Sequence, residues 1–200
     1  TMPVDRAAVR RELEHRQPIA NPTAMFRTQL LRDAGLYRSA FRYCEDYDLF
    51  LRLSEIAEIA NLPDMLLHYR RSPGQMSVLN HGVQTRQAAY ARLAHRERRA
   101  GLPDPFWGAD RLPPLTELDR LLGRPGVSAE VESEMLIARR YAVGSMSDEE
   151  FSGYCGAVAR GIRGGDLRAA LRCLAVGRPI RAVRLAKALT MGKLAPYRSP

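Results

Sequence analysis

Cysteine, tryptophan and lysine are scarce in this sequence, and long apolar runs are absent. Cys44, Cys155 and Cys173 are an odd set at wide spacings. That excludes a disulfide framework or a zinc site and fits small apolar side chains in a reducing compartment. The longest stretch without Asp, Glu, Lys or Arg runs from Ser72 to Thr85. It is polar and too short for the roughly 20 apolar residues of a membrane-crossing helix. The first residues lack the apolar segment of a signal peptide. Thr1 stands before the first Met, so the chain is expected to be a piece of a longer protein.

What is present is a globular composition, with 46% hydrophobic and 26% charged residues in a chain of 200. The net charge of +9 is uneven. Residues 151–200 hold ten Lys or Arg against a single acid, Asp166, whereas the first 150 residues are balanced. Only two of the 31 basic residues are Lys. A cationic helical tail suits an anionic membrane surface, and it equally suits a solvated face in an Arg-biased protein. The tail has no heptads, no zinc spacing and no RNA-binding aromatic motif, so nucleic acid is not an expected partner.

Along the chain, residues 1–20 read as a charged helical lead-in broken at Asn21-Pro22. Thr23-Ala24-Met25-Phe26 reads as a buried strand, and Thr28 as the cap of a short helix ending at Gly35. The spacing of Leu49, Leu53 and Ile56 predicts a helix from Asp46 with one buried face. Ile59–Leu62 and Met65–Tyr69 read as two further strands, closed by Pro73-Gly74. Beyond residue 80 the pattern is helical. A helix from Val83 to Ala100 leads to a Pro-rich connector, Pro103–Pro114, and a short helix at Leu115–Leu122. Ser128, the capping box Ser147-Asp148-Glu149-Glu150, Asp166 and Pro179 then open four more helices, with stops at Gly144, Gly164-Gly165 and Gly177. The predicted division is 1–81, a linking segment 82–125, and a basic helical domain 126–200.

The stretch Asn21–Ser77 carries the most chemistry. Within it, Glu45-Asp46-Tyr47-Asp48-Leu49-Phe50-Leu51-Arg52-Leu53 opens a helix with an acidic pair, followed by Leu62-Pro63 and Tyr69-Arg70. In this order the elements resemble the acceptor-side half of family 2 glycosyltransferases, inverting enzymes of the GT-A fold. The resemblance implies an α+β, helix-rich chain: part of a GT-A domain, then an all-α C-terminal domain. It implies inverting transfer of a sugar from a nucleotide-sugar to a glycan or lipid-linked hydroxyl, in a bacterial-type enzyme that is cytoplasmic or peripheral at the inner membrane face.

Such a transfer needs a carboxylate to take the acceptor hydroxyl's proton. The resemblance assigns that role to Asp46, with Glu45 in support. The partial positive charge of a helix N-terminus attracts the Asp46 carboxylate, and neighbouring Glu45 repels it. The plainer alternative is an acidic pair that caps a helix. Arg70 and Arg71 are candidate contacts for a diphosphate or an anionic acceptor, because the guanidinium fork suits phosphate. They equally fit a solvated pair at a strand end. Ser72 stands where many family members have a His, and His68 and His81 read as ordinary residues rather than ligands.

Asp46-Tyr47-Asp48 spells Asp-x-Asp, but it opens an amphipathic helix, so Asp48 is expected to pair with Arg52 one turn on. No Gly-rich phosphate loop is present. The resemblance therefore implies that the donor half, with its Mg or Mn ion, lies outside this chain and that the fragment alone is inactive. Two alternatives stand beside the enzyme: a non-catalytic acceptor- or partner-binding module, and a nucleic-acid-binding helical protein. Phe106 and Trp107 are expected to pack between helical layers rather than to stack on a sugar.

Overall fold

The computed structural model describes residues 2–70, 80–140, 143, 146–161 and 167–194. They are helical wherever they are regular, and no strand occurs among them. This corrects the α+β expectation: the described chain is all-α, with no GT-A sheet. The three predicted strands fail for one reason. A β-strand needs a neighbour to take its backbone N–H and C=O groups, and no such partner faces these segments among the described residues. Asn21–Thr23 forms a single 3₁₀ turn, Met25 is almost fully exposed, and 59–70 is irregular with Leu62, Met65, Leu66 and Tyr69 in solvent.

The chain divides into two compact units, Thr1–Leu112 and Pro113–Pro200, at the end of the Pro-rich connector. The first contains α1 (Arg6–Leu13), α2 (Thr28–Asp33), α3 (Glu45–Ile56) and α4 (His81–Arg99). Asp5 caps α1, accepting from the Ala8 N–H at 2.8 Å. Thr28 does not cap α2 but is its first residue, with Arg27 at the cap position. Gly35 ends that helix at φ +83°, as its lack of a Cβ allows. Leu36 follows at φ +59°, a conformation costly for a branched side chain. Tyr47 to Leu53 are all buried, so α3 runs through the interior instead of laying one face on it. Tyr90, Leu93 and the alanines of α4 pack around it.

Phe106 stacks on Tyr90 with ring centres 5.3 Å apart and meets Phe41 edge-on. It is a core residue, as expected. Trp107 is exposed, with its indole lying over Gly35 so closely that a Cβ there would stand 2.7 Å from the ring.

The second unit contains α5 (Leu118–Leu122), α6 (Val127–Arg139), α7 (Asp148–Ala159), α8 (Leu167–Ala175) and α9 (Pro179–Leu194). The capping box predicted for α7 is present in full: Ser147 accepts from the Glu150 N–H, and Glu150 accepts from the Ser147 N–H at 2.9 Å. Ser128 is not the cap of α6. Asp119 performs that task from α5, accepting from the N–H groups of Gly126 at 2.9 Å and Ser128 at 2.7 Å. These bonds hold the Asp119 carboxyl below its ordinary range. Pro179 opens α9 as read, while the stops at Gly144 and Gly164-Gly165 and the cap at Asp166 lie outside the described residues, as does the turn Pro73-Gly74.

Phe151, Tyr154, Cys173 and Leu185 centre the core of this unit. Helix α9 crosses α7 so closely at Gly192 that a Cβ there would run into the Val158 carbonyl oxygen. Gly192→Ala is therefore expected to destabilise the second unit by about 1–3 kcal/mol, the usual cost of overpacking. Denaturant unfolding followed by circular dichroism reads this as an earlier transition for that unit alone.

Candidate functional site

The acidic pair sits where the sequence places it, at the first turn of α3. One Asp46 oxygen accepts from the Tyr47 N–H at 2.8 Å, and the other accepts from Gln17 Nε2 at 2.8 Å. Gln17 also donates to the Ile19 carbonyl at 3.1 Å, which fixes its amide between the lead-in segment and α3. Asp46 is thus a half-buried carboxylate held at both oxygens. Glu45 Oε2 is buried and has no hydrogen-bond partner among the described residues. The loop before the pair is tied to α4 through Gln87, whose Oε1 accepts from the Tyr43 N–H at 3.0 Å. Burial pushes the Cys44 thiol well above its ordinary range, and negative Asp46 and Asp48 add to the shift, so Cys44 is an inert thiol.

Asp48 pairs with Arg52, as its spacing predicts, but in the interior and with more partners than a surface pair has. Arg52 Nη2 donates to Asp48 Oδ2 at 2.8 Å, and Arg38 grips the same carboxylate through Nε at 2.9 Å and through Nη2. Arg38 Nη1 reaches on to Asp104 at 2.8 Å, and Arg98 Nη1 meets the same Asp104 oxygen at 2.5 Å. Arg98 then forks onto Glu55 at 2.7 and 2.9 Å, with His95 Nδ1 2.5 Å from the Glu55 carboxylate. Three guanidiniums and three carboxylates therefore alternate, with Asp48 only 1% exposed in its side chain. This network joins α3, α4 and the loops at 38 and 104, and of its members only the Asp48–Arg52 pair is signalled by local spacing.

Arg52 performs a second task at the same time. It donates to the carbonyls of Ala34 and Leu36, the latter at 2.7 Å, and so pins the left-handed Leu36 turn to α3. Arg70 is exposed and makes no bond to Glu45 or Asp46, and Arg71 lies outside the described residues. Among the described residues, Arg70 is therefore not brought to the acidic pair. A cavity of about 340 Å³ lies at the far end of α3, lined by Arg6, Arg10, Ser54 and Glu58, and Asp46 is not part of it. No group of three His, Cys, Asp or Glu is placed to hold a metal ion among the described residues, and no step is assigned to one. No helix of the described chain is long and apolar enough to cross a membrane.

Two outcomes follow from the network. Asp48→Asn removes the carboxylate that neutralises Arg52 and one of the two that hold Arg38, and should cost about 3–5 kcal/mol in urea unfolding of the first unit. Glu55 responds to pH. Burial raises its carboxyl, but the bonds from His95 and Arg98 outweigh that and hold it below its ordinary value of 4.5. A lowered folded value means that this stabilisation is complete above pH 4.5 and fades as pH falls through the folded value. Glu55→Gln should flatten the loss of thermal stability below pH 4.5 relative to the parent, read by melting at stepped pH. Comparison of the chain with protein-family models, with curated proteins and with solved structures gave no match.

Proposed function

We propose that the chain is the acceptor-side part of an inverting sugar transferase, with Asp46 as the base that takes the acceptor hydroxyl's proton and Glu45 beside it. The observation that carries this reading is the state of the two carboxylates. Asp46 is anchored at both oxygens by Gln17 and its own helix, and Glu45 keeps a buried oxygen without a donor among the described residues. A buried acceptor left unsatisfied costs about 1–3 kcal/mol, and a hydroxyl brought against it relieves that cost. A carboxylate held in one orientation is what proton transfer requires, because the base must lie within hydrogen-bond reach of the hydroxyl. The nucleotide-sugar, and the divalent Mg or Mn that neutralises its diphosphate, would be held by residues other than those described. Arg70 would serve as an outlying contact for the acceptor.

A second reading is a non-catalytic binding module, favoured by the exposed apolar residues Met65, Leu66 and Tyr69 in an irregular segment. One experiment separates the two. In the polypeptide as it occurs in its source cell, Asp46→Asn should lower nucleoside diphosphate release from a panel of nucleotide-sugars, with a lipid-linked acceptor present, by 10²-fold or more. Circular dichroism should show the variant folded. Unchanged release by a folded variant overturns the role of Asp46. No release by the parent with any donor moves the binding module to first place.

A further inference from the structure

Helices α8 and α9 carry their side chains in an unusual order. In α8 the small residues Ala169, Ala170 and Cys173 face the core, while the large ones, Leu167, Leu171 and Leu174, face solvent. These leucines recur at i, i+4 and i+7, which puts them on one stripe about 120° around the helix from the buried face. Arg168 and Arg172 occupy the third face and are exposed. Val176 in the connector 176–178 and Ile180 and Val183 on α9 are also exposed, and all six apolar residues are between 51% and 77% exposed. The turn is well formed: Gly177 adopts φ +71°, and the Arg178 N–H donates to the Cys173 carbonyl at 2.8 Å. These two helices pack closely on each other, so the outward placement of the leucines belongs to a folded hairpin.

Charge decides what would cover this surface. Residues 167–194 contain seven Lys or Arg and no Asp or Glu. Arg181 is spent inside, donating to the Met146 carbonyl at 2.8 Å and to Asp148 at 2.6 Å. Arg168, Arg172, Arg178, Arg184 and Lys187 are exposed on the same two helices and their connector, and Arg184 also donates to Ser152 at 2.7 Å. A second copy of this face would set cation against cation, which disfavours a symmetric pairing. A bilayer interface carrying anionic headgroups meets both features at once, taking the leucines at the acyl boundary and the arginines at the phosphates. We infer that the α8–α9 hairpin is a peripheral docking face for an anionic lipid bilayer. This inference is independent of the proposed sugar transfer.

The test uses the full chain with sedimented vesicles of phosphatidylcholine, and with the same vesicles carrying roughly a third phosphatidylglycerol. Binding to the anionic vesicles should be at least tenfold tighter and should weaken as salt is raised. The triple variant Leu167→Gln, Leu171→Gln, Leu174→Gln should lose at least tenfold in that affinity with its helical content unchanged. As a check that needs no deletion of the stripe, Leu171→Trp in a Trp107→Phe background should show an emission shift to shorter wavelength on adding anionic vesicles. Three results overturn the inference. One is equal or absent binding to both vesicles. Another is undiminished binding by the folded triple variant, which would leave only a non-specific polycation. The third is dimerisation in solution that the triple variant abolishes without any vesicle binding, which would give the face to a second copy.

Discussion

Burying a helix on all sides leaves no room for an unpaired charge, and the first unit is organised around that constraint. Helix α3 brings Asp48 and Arg52 into the interior, where each must find opposite charge and hydrogen bonds or cost several kcal/mol. The partners come from far along the chain: Arg38 before the helix, Arg98 and His95 on α4, and Asp104 beyond it. Because the carboxylates and guanidiniums alternate, the placement of each element is fixed by two neighbours. The acidic pair at the head of α3 inherits its position from this framework.

The two units reach stability by different means. In the first, charge alternation and aromatic stacking fill the space around one central helix. In the second, close approach of α7, α8 and α9 is made possible by small residues: Ala157, Ala169, Ala170, Ala182, Ala188 and Gly192. The guanidinium of Arg181 lies inside that core with Phe151 against it at 5.0 Å, and it closes the start of α7 through Asp148. Its bonds hold the Asp148 carboxyl below its ordinary range even though that side chain is largely exposed.

What was legible in the sequence was local. Gly35, the capping box at Ser147, Pro179 and the i,i+4 pair Asp48–Arg52 each announce themselves within a few residues, because capping and helical spacing act over that range. The apolar runs at Thr23–Phe26, Ile59–Leu62 and Met65–Tyr69 misled because a strand is defined by its partner, which no local pattern contains. The spacing of Leu49, Leu53 and Ile56 gave α3 but not its all-round burial, since the surrounding loops and α4 decide that. The acidic pair was found by its order among other motifs. Gln17, the residue that anchors Asp46, gave no signal, being a lone amide 29 positions away. Arg38, Glu55, Arg98 and Asp104 were likewise hidden as unremarkable surface-type residues.

The span of the charge network also bears on how the chain reaches its native state. In the second unit, α8 and α9 are joined by three residues and can meet as neighbours, a low-cost loop closure. In the first, the pairs Asp48–Arg52 and Arg98–Asp104 are local, but residue 38 must meet residue 104, and residue 55 must meet residue 98, before the charge network is complete. A partly assembled first unit would hold desolvated guanidiniums without carboxylates, so intermediate packings are penalised and the network closes as a whole. Slow, all-or-none consolidation of the charge network in the first unit beside a quickly formed helical hairpin is the kinetic signature that this arrangement of charge imposes.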